Sequence, residues 1–490
     1  MNHNPNPFDF VPFDENGPQL KTLEEWMSYG LLRTGRITVQ MKALTPVHIV
    51  GEQTMNGMNI DKSLFYQRNG KHYIPGSSIR GVLRAFIEAA CNGWASQLTP
   101  YYPRTKHHNK HAYGFQVLEN IELKKGEYID IKEFSINPKY IKPDIPENGI
   151  DLASFLFGYI PGKPDKKDQF NPAWKGRITI DDAEVTESQL SSVQNGNSYK
   201  VPDLYNKPAF MGGPHPSASS WWYQFPKEIV KKSETDYRFI GSGFRGRKFY
   251  FHQNPVQCIG YYEESDSWNG LYYPKIQCIN QNNSVTFDIL FNNIPEHLLC
   301  VLLFALEPKW NIRHKIGYGK AYGYGSIEFN IQGLFFYEKG FDDYLETNNI
   351  DRFRQIIDEQ LSVFDSENKN SIAHFIRREF IGQLAFILGY EDSLEQIFTY
   401  PCPGAGGFNV SQRGHERTTY SNELNNKINI ALNFLKLEPD DNGVITITKD
   451  KSSLIAMCLR EIKPTLDFEM YQEQSNFEQD IKEKRRFNYD

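Results

Sequence analysis

A mixed α+β fold is predicted for this 490-residue chain by three observations. Four stretches read as strands, two stretches between them read as helices, and the text beyond residue 340 turns helical. Residues 35–44, GRITVQMKAL, alternate apolar and polar side chains and are closed by Pro46, the pattern of a half-buried strand. Pro75, Gly76, Ser77 and Ser78 then offer a turn and an N-cap. The helix they open carries Ile79, Val82, Leu83, Phe86, Ile87 and Ala90 at the period of 3.6, with Arg80 and Arg84 together on a different face.

Residues from about 92 to 175 are irregular, with charged clusters around KHHNKH and KPDKKD and one apolar patch, DLASFLFGY. A strand follows at 176–181, GRITID, and after a second stretch rich in Gly, Pro and aromatic residues comes the strand SVTFDILF at 284–291. Glu296 to Leu306 reads as a buried helix, and a glycine-rich loop leads into the strand GSIEFNIQGLFFY. The order βαββαβ is that of a ferredoxin-like or RNA-recognition-motif core, here with long insertions at about 92–175 and 186–283. The expected organisation is an extended arm over 1–34, this core over 35–340, and a mainly helical C-terminal region over 341–490. No tandem repeat or low-complexity tract interrupts that scheme.

Composition narrows the function classes. A formal net charge of −6 argues against a generic polyanion binder, so nucleic-acid contact must come from local basic patches. Six scattered cysteines without a CxxC pair indicate neither a zinc ribbon nor a disulfide framework, which fits a reducing cytoplasm. The longest strongly apolar run, Leu298 to Leu306, is far short of the roughly 20 residues that span a bilayer, so no membrane partner is expected.

The most informative segment is IGYGKAYGYGSI, residues 316–327. Gly317, Gly319, Gly323 and Gly325 let backbone amides approach a phosphate, while Lys315, Lys320 and the interleaved tyrosines add charge and stacking faces. The start of the 76–90 helix, with Ser77 and Ser78 beside Arg80 and Arg84, offers a second anion-binding arrangement. Further basic and aromatic clusters are Arg104, Lys106, His107, His108, Lys110 and His111, the pair Trp221 and Trp222, and the run Arg245, Arg247 and Lys248.

Four landmarks, in this order, carry a family resemblance: TPVHIVGE at 45–52, YIPGSSIRGVLR at 73–84, FLFGY with KGRITIDDAEV at 155–185, and HKIGYGKAYGYGSIEF at 314–329. Together they resemble the RAMP superfamily of CRISPR-associated proteins. NPFDFVPF near the start and FRGRKFYFHQ at 244–253 are similar to the long members that carry a helical extension. The resemblance implies a guide-RNA-binding subunit of a type III effector complex, with CRISPR RNA, target single-stranded RNA and other CRISPR effector subunits as partners. By that analogy the helix start and the glycine-rich loop grip guide RNA.

The resemblance also raises catalysis. Backbone subunits of the cleaving kind place an aspartate in a loop after the first strand, here GEQTMNGMNIDKSLF, which brings Asp61 forward as a catalytic residue with Mg²⁺ as its cofactor. The loop departs from compact members in carrying Val50 where a second glycine is usual and in lacking a proline after the aspartate. Two alternatives are a standalone guide-processing endoribonuclease, for which His48 is the nearest acid–base candidate, and a non-catalytic adaptor of the effector complex.

Overall fold

The computed structural model describes residues 7–96 apart from 15 and 58, then 148–160, 173–193, 199–201, 246–264, 273–337 and, with short interruptions, 348–398. Strand segments at 98–100, 115–117, 228–233, 236–240 and 444–446 are also described.

The chain opens with β1 (Phe8–Val11) and the short helix α1 (Leu23–Met27). Thr22 and Glu25 cap α1 reciprocally, and the buried Trp26 donates its indole N–H to the Ile150 carbonyl at 2.8 Å. The stretch expected as an extended arm is therefore fastened to the core. Next come β2 (Leu32–Ala43) and a hairpin of β3 (Val50–Asn56) and β4 (Asn59–Phe65). The short strands β5 (Gln67–Arg68) and β6 (Lys71–Ile74) lead into α2 (Gly76–Ala90). Beyond the first insertion lie α3 (Leu152–Phe157), β7 (Ile178–Ile180) and β8 (Ala183–Val185). Then follow β9 (Arg247–Tyr250), α4 (Pro255–Glu264), β10 (Lys275–Ile276), β11 (Ser284–Pro295) and α5 (Glu296–Leu306). The described chain closes its core with β12 (His314–Lys315), β13 (Ser326–Phe336), α6 (Ile350–Val363) and α7 (Arg378–Leu388).

The principal sheet has the order β12-β13-β2-β11-β7, with every neighbouring pair antiparallel. It follows that β2 runs parallel to β7, to which it is joined through α2, and β11 runs parallel to β13, to which it is joined through α5. Each pair has a strand of the other between its members, so two βαβ units interleave, which is the ferredoxin-like arrangement expected from the sequence. The period-2 pattern sets the faces. Ile37, Val39, Met41 and Ala43 of β2 and Val285, Phe287, Ile289 and Phe291 of β11 are buried on one side, where α2 and α5 pack. Helix α5 is buried from Leu298 to Leu306 because the sheet, α2 and α6 surround it, and a helix so enclosed is apolar all round.

The other face of the sheet is polar. Arg36 pairs with Asp288 at 3.2 Å, Thr38 donates to the same carboxylate at 2.7 Å, and Arg313 pairs with Glu328 at 2.7 Å. Phe335 lies under the Arg36 guanidinium at 5.4 Å. On this face the described ion pairs engage the basic side chains, and the Phe335 ring is covered by Arg36. Helices α6 and α7, beyond residue 340, contribute Phe353, Ile357, Phe380, Leu384 and Ile387 to the same apolar core as the sheet.

Candidate nucleic-acid interface

The glycine-rich loop is a rigid turn seated on the stretch after β2. All four glycines have positive φ, between 75° and 90°. At Gly317 an added Cβ would stand 2.2 Å from the His48 carbonyl oxygen, and at Gly325 2.0 Å from that of Ile316, so neither site has room for a side chain. The Tyr318 amide donates to His48 O and the Gly325 amide to Pro46 O, both at 2.9 Å. Thr45 Oγ1 donates to Gly323 O at 2.8 Å and accepts the Ser326 amide at 3.0 Å. From the other side Gln253 donates to Ala321 O at 2.7 Å, and His252 Nδ1 lies 2.8 Å from Ser326 Oγ. The landmarks TPVHIV and FYFHQ are thus the socket of the glycine loop. Sequence reasoning noted both but did not assign Thr45, His252 or Gln253 that role.

Three lysines gather at this loop. Lys315 is buried and donates its ammonium to the carbonyls of Lys320 at 2.9 Å and Tyr324 at 3.3 Å, bracing the turn from within. Burial pushes its ammonium down to about 7, and the neighbouring Lys320 adds repulsion. Lys248, on β9, lies 3.9 Å from the Phe8 ring and 4.7 Å from the Tyr250 ring. Its ammonium too is pushed down to about 7, by burial and then by Lys320. Lys320 lies 5.9 Å from the same Tyr250 ring, and burial lowers its pKa as well. Among the described residues neither Lys315 nor Lys320 meets a carboxylate. The backbone amides of Gly317, Gly319, Lys320 and Ala321 likewise find no protein acceptor among the described residues. An anion reaching Lys320 would supply a counter-charge that the described residues do not.

The start of α2 is arranged differently from the expectation. Its N-cap is Pro75, not a serine, and the Gly76 amide donates to the Asp182 carboxylate at 2.8 Å. Asp182 also pairs with Arg68 at 2.8 Å, so a protein carboxylate already occupies the place at the helix terminus that a phosphate would take. Ser77 is exposed and Ser78 half-buried, and neither side chain caps the helix. Arg80 donates to the carbonyls of Phe157 and Ile178 and lies over the Phe157 ring, while Arg84 donates to Gly158 O at 3.0 Å and pairs with Glu88 at 2.7 Å. Both guanidiniums tie α2 to the ends of α3 and β7. Their carbonyl partners lie some 75 to 100 residues away, so no local pattern in the sequence announces them.

The proposed catalytic residues also sit in unexpected places. The stretch expected as a loop around Asp61 is the β3–β4 hairpin, and Asp61 is a half-buried residue of β4. Among the described residues no group of three or more His, Cys, Asp or Glu side chains gathers that could hold a metal ion. Mg²⁺ at Asp61 would therefore draw most of its ligands from water and substrate. His48 is not at a groove. It is fully buried, with Nδ1 2.7 Å from Gln277 O and Nε2 2.9 Å from Ser63 Oγ, and burial drives its pKa down to about 4. A ring so enclosed holds β4 to the socket and has no nitrogen to offer a ribose hydroxyl.

The predicted contacts therefore separate into a loop set, comprising Lys248, Lys315, Lys320 and the four glycines, and an α2 set. No hydrogen bond or ion pair among the described residues joins the two sets. Arg247 belongs to neither: it donates to Gly93 O and stacks on Phe13 at 4.5 Å, fastening β9 to the end of α2. Arg245, the cluster from Arg104 to His111, and Trp221 and Trp222 lie outside the described residues. No described helix is long and apolar enough to cross a membrane.

No curated protein matches the chain. A solved structure described as a Type IV-B CRISPR Complex contains a chain that aligns with 65% of this one and 98% of itself, at 13% identity and a TM-score of 0.24, too low to support any argument. The sequence model of the RAMP superfamily matches residues 40–328, from the middle of β2 through the glycine loop into β13, and on that match over more than half of its length the chain belongs to the RAMP superfamily.

Proposed function

We propose that this chain is a guide-RNA-binding subunit of a type III CRISPR interference ribonucleoprotein, working beside other CRISPR effector subunits and presenting CRISPR RNA to target single-stranded RNA. The observation that carries the reading is that Lys248 and Lys320 both lie over the Tyr250 ring, at 4.7 and 5.9 Å, beside a glycine turn with unspent amides. A phosphodiester would neutralise the Lys320 ammonium with Lys248 close by, and an adjoining base could stack on tyrosine, an interaction worth roughly 1–3 kcal/mol. Membership of the RAMP superfamily supports the same reading. The burial of His48 weighs against a standalone guide-processing nuclease that uses this residue as acid or base.

The test is to purify the tagged protein from its host, sequence the co-purifying RNA, and measure single-strand binding across a salt series. CRISPR-derived RNA of defined length is expected. Removing two phosphate contacts with Lys248→Ala and Lys320→Ala should flatten the log–log salt slope by about 1.4, at roughly 0.7 per contact. An unchanged slope would place the groove elsewhere, and protein free of RNA would favour the adaptor reading.

A further inference from the structure

A second feature lies apart from the lysines. A cavity of about 500 Å³ opens between the end of β4, β6 and the turn after β8. Leu64 and Leu190 form apolar walls, and His72, Glu187 and Gln277 supply polar groups. The volume falls within the range of small-molecule pockets. His72 is 8% exposed, and its Nε2 holds Glu187 Oε1 at 2.8 Å. Its other ring nitrogen, Nδ1, is buried without a partner, so the pair with Glu187 is the ring's one polar tether among the described residues. The carboxylate keeps its second oxygen unengaged. Gln277 is held through Oε1, which accepts the Phe65 amide at 3.1 Å, and its Nε2 is left without a partner among the described residues.

No lysine or arginine lines this cavity, so it is not built for phosphate. A carboxylate tethered by His72, an amide donor and the apolar side chains of Leu64 and Leu190 instead match a planar heterocycle. Guanine is the one RNA base whose pairing edge sets two adjacent N–H donors beside a carbonyl acceptor. A carboxylate can accept the donors while an amide serves the acceptor. Adenine and cytosine present an acceptor where guanine has its central donor, and uracil turns a second carbonyl toward the carboxylate. The cavity is also joined to the glycine-loop socket, because the carbonyl of Gln277 accepts from the His48 ring whose backbone carbonyl seats Tyr318. We infer that this cavity is a base-reading pocket that takes one unstacked guanine. The inference rests on the RNA-binding reading above for the source of that base.

The test compares a labelled all-uridine oligonucleotide with versions carrying one guanosine, by fluorescence anisotropy on the full-length protein. Guanosine is expected to tighten binding about tenfold, within the range of a two-bond base contact. Glu187→Gln and the pocket-filling Val193→Trp should both abolish that preference while leaving all-uridine affinity and its salt slope unchanged. Equal binding of the two oligonucleotides, or a preference that survives in Glu187→Gln, overturns the pocket. If neither oligonucleotide binds, the RNA-subunit reading fails, and calorimetric titration of free guanosine against uridine decides the pocket alone. Guanosine binding lost in Glu187→Gln would assign it to a free nucleoside, and absence of guanosine binding would overturn it.

Discussion

Arg80→Ala separates two roles for one residue. If the guanidinium faced RNA, truncation would weaken binding and spare stability. The structure directs it inward, to the carbonyls of Phe157 and Ile178, with the Phe157 ring below at 5.8 Å. A hydrogen bond from a charged donor contributes about 1.5–3 kcal/mol. The bond to Ile178, at 3.4 Å, is long and adds little, so the bond to Phe157 dominates. Arg80 is half-buried, and its ring contact adds about 0.5–1 kcal/mol. The expected loss is therefore about 2–4 kcal/mol, read as a lower urea midpoint at constant slope. Single-strand RNA affinity, measured where the variant is folded, should stay within a factor of two or so of the parent, since a kilocalorie is already about fivefold. An unchanged midpoint with a tenfold weaker affinity would refute the inward assignment and return the α2 set to the RNA path.

Three further outcomes follow from the geometry. Lys315 has a folded pKa of about 7 against an ordinary value of 10.5, so between those values the unfolded chain binds the extra proton and stability should rise with pH. Urea midpoints at pH 7 and 9 check the sign, and in Lys315→Met, which has no such proton to lose, the rise should shrink. Gly325→Ala places a Cβ 2.0 Å from Ile316 O at a φ of +78°, and should cost more than the about 1–2 kcal/mol of the left-handed backbone alone; equal thermal midpoints for parent and variant would count against a fixed loop. With no cluster of three or more metal-binding side chains at Asp61 among the described residues, purified protein in Mg²⁺ is expected to leave bound single-stranded RNA at full length on a denaturing gel; cutting that disappears in Asp61→Ala would reverse this expectation.

The sheet and its two helices were legible because burial writes itself into period. Ile37, Val39, Met41 and Ala43 alternate, and Ile79, Leu83, Phe86 and Ile87 recur at helical spacing, each set buried as its pattern implies. The β3–β4 hairpin escaped notice for the complementary reason. β3 is exposed along nearly its whole length, so no alternation marks it, and its polar composition reads as a loop. The glycine loop could be located by composition, but not its socket, since Thr45 and Gln253 reach it from opposite ends of the core. Asp182 illustrates the same limit at α2, where a carboxylate 106 residues downstream takes the helix terminus that the PGSS sequence seemed to leave open to a ligand.

The interleaved sheet also sets an order of assembly. Strand β2 is central, yet both of its partners are made late: Lys42 pairs with Ser284 on one side and with Glu328 on the other. At a synthesis rate of about 5–20 residues per second, both edges of β2 wait on the order of tens of seconds for a neighbour. The glycine loop can be seated on Pro46 and His48 only after residue 325 has emerged. A chain interrupted before that point would leave β2 without its β13 partner and the glycine loop unseated. On the RNA-binding reading proposed above, competence to take up RNA should arrive abruptly, near the end of the core, rather than accumulate with length.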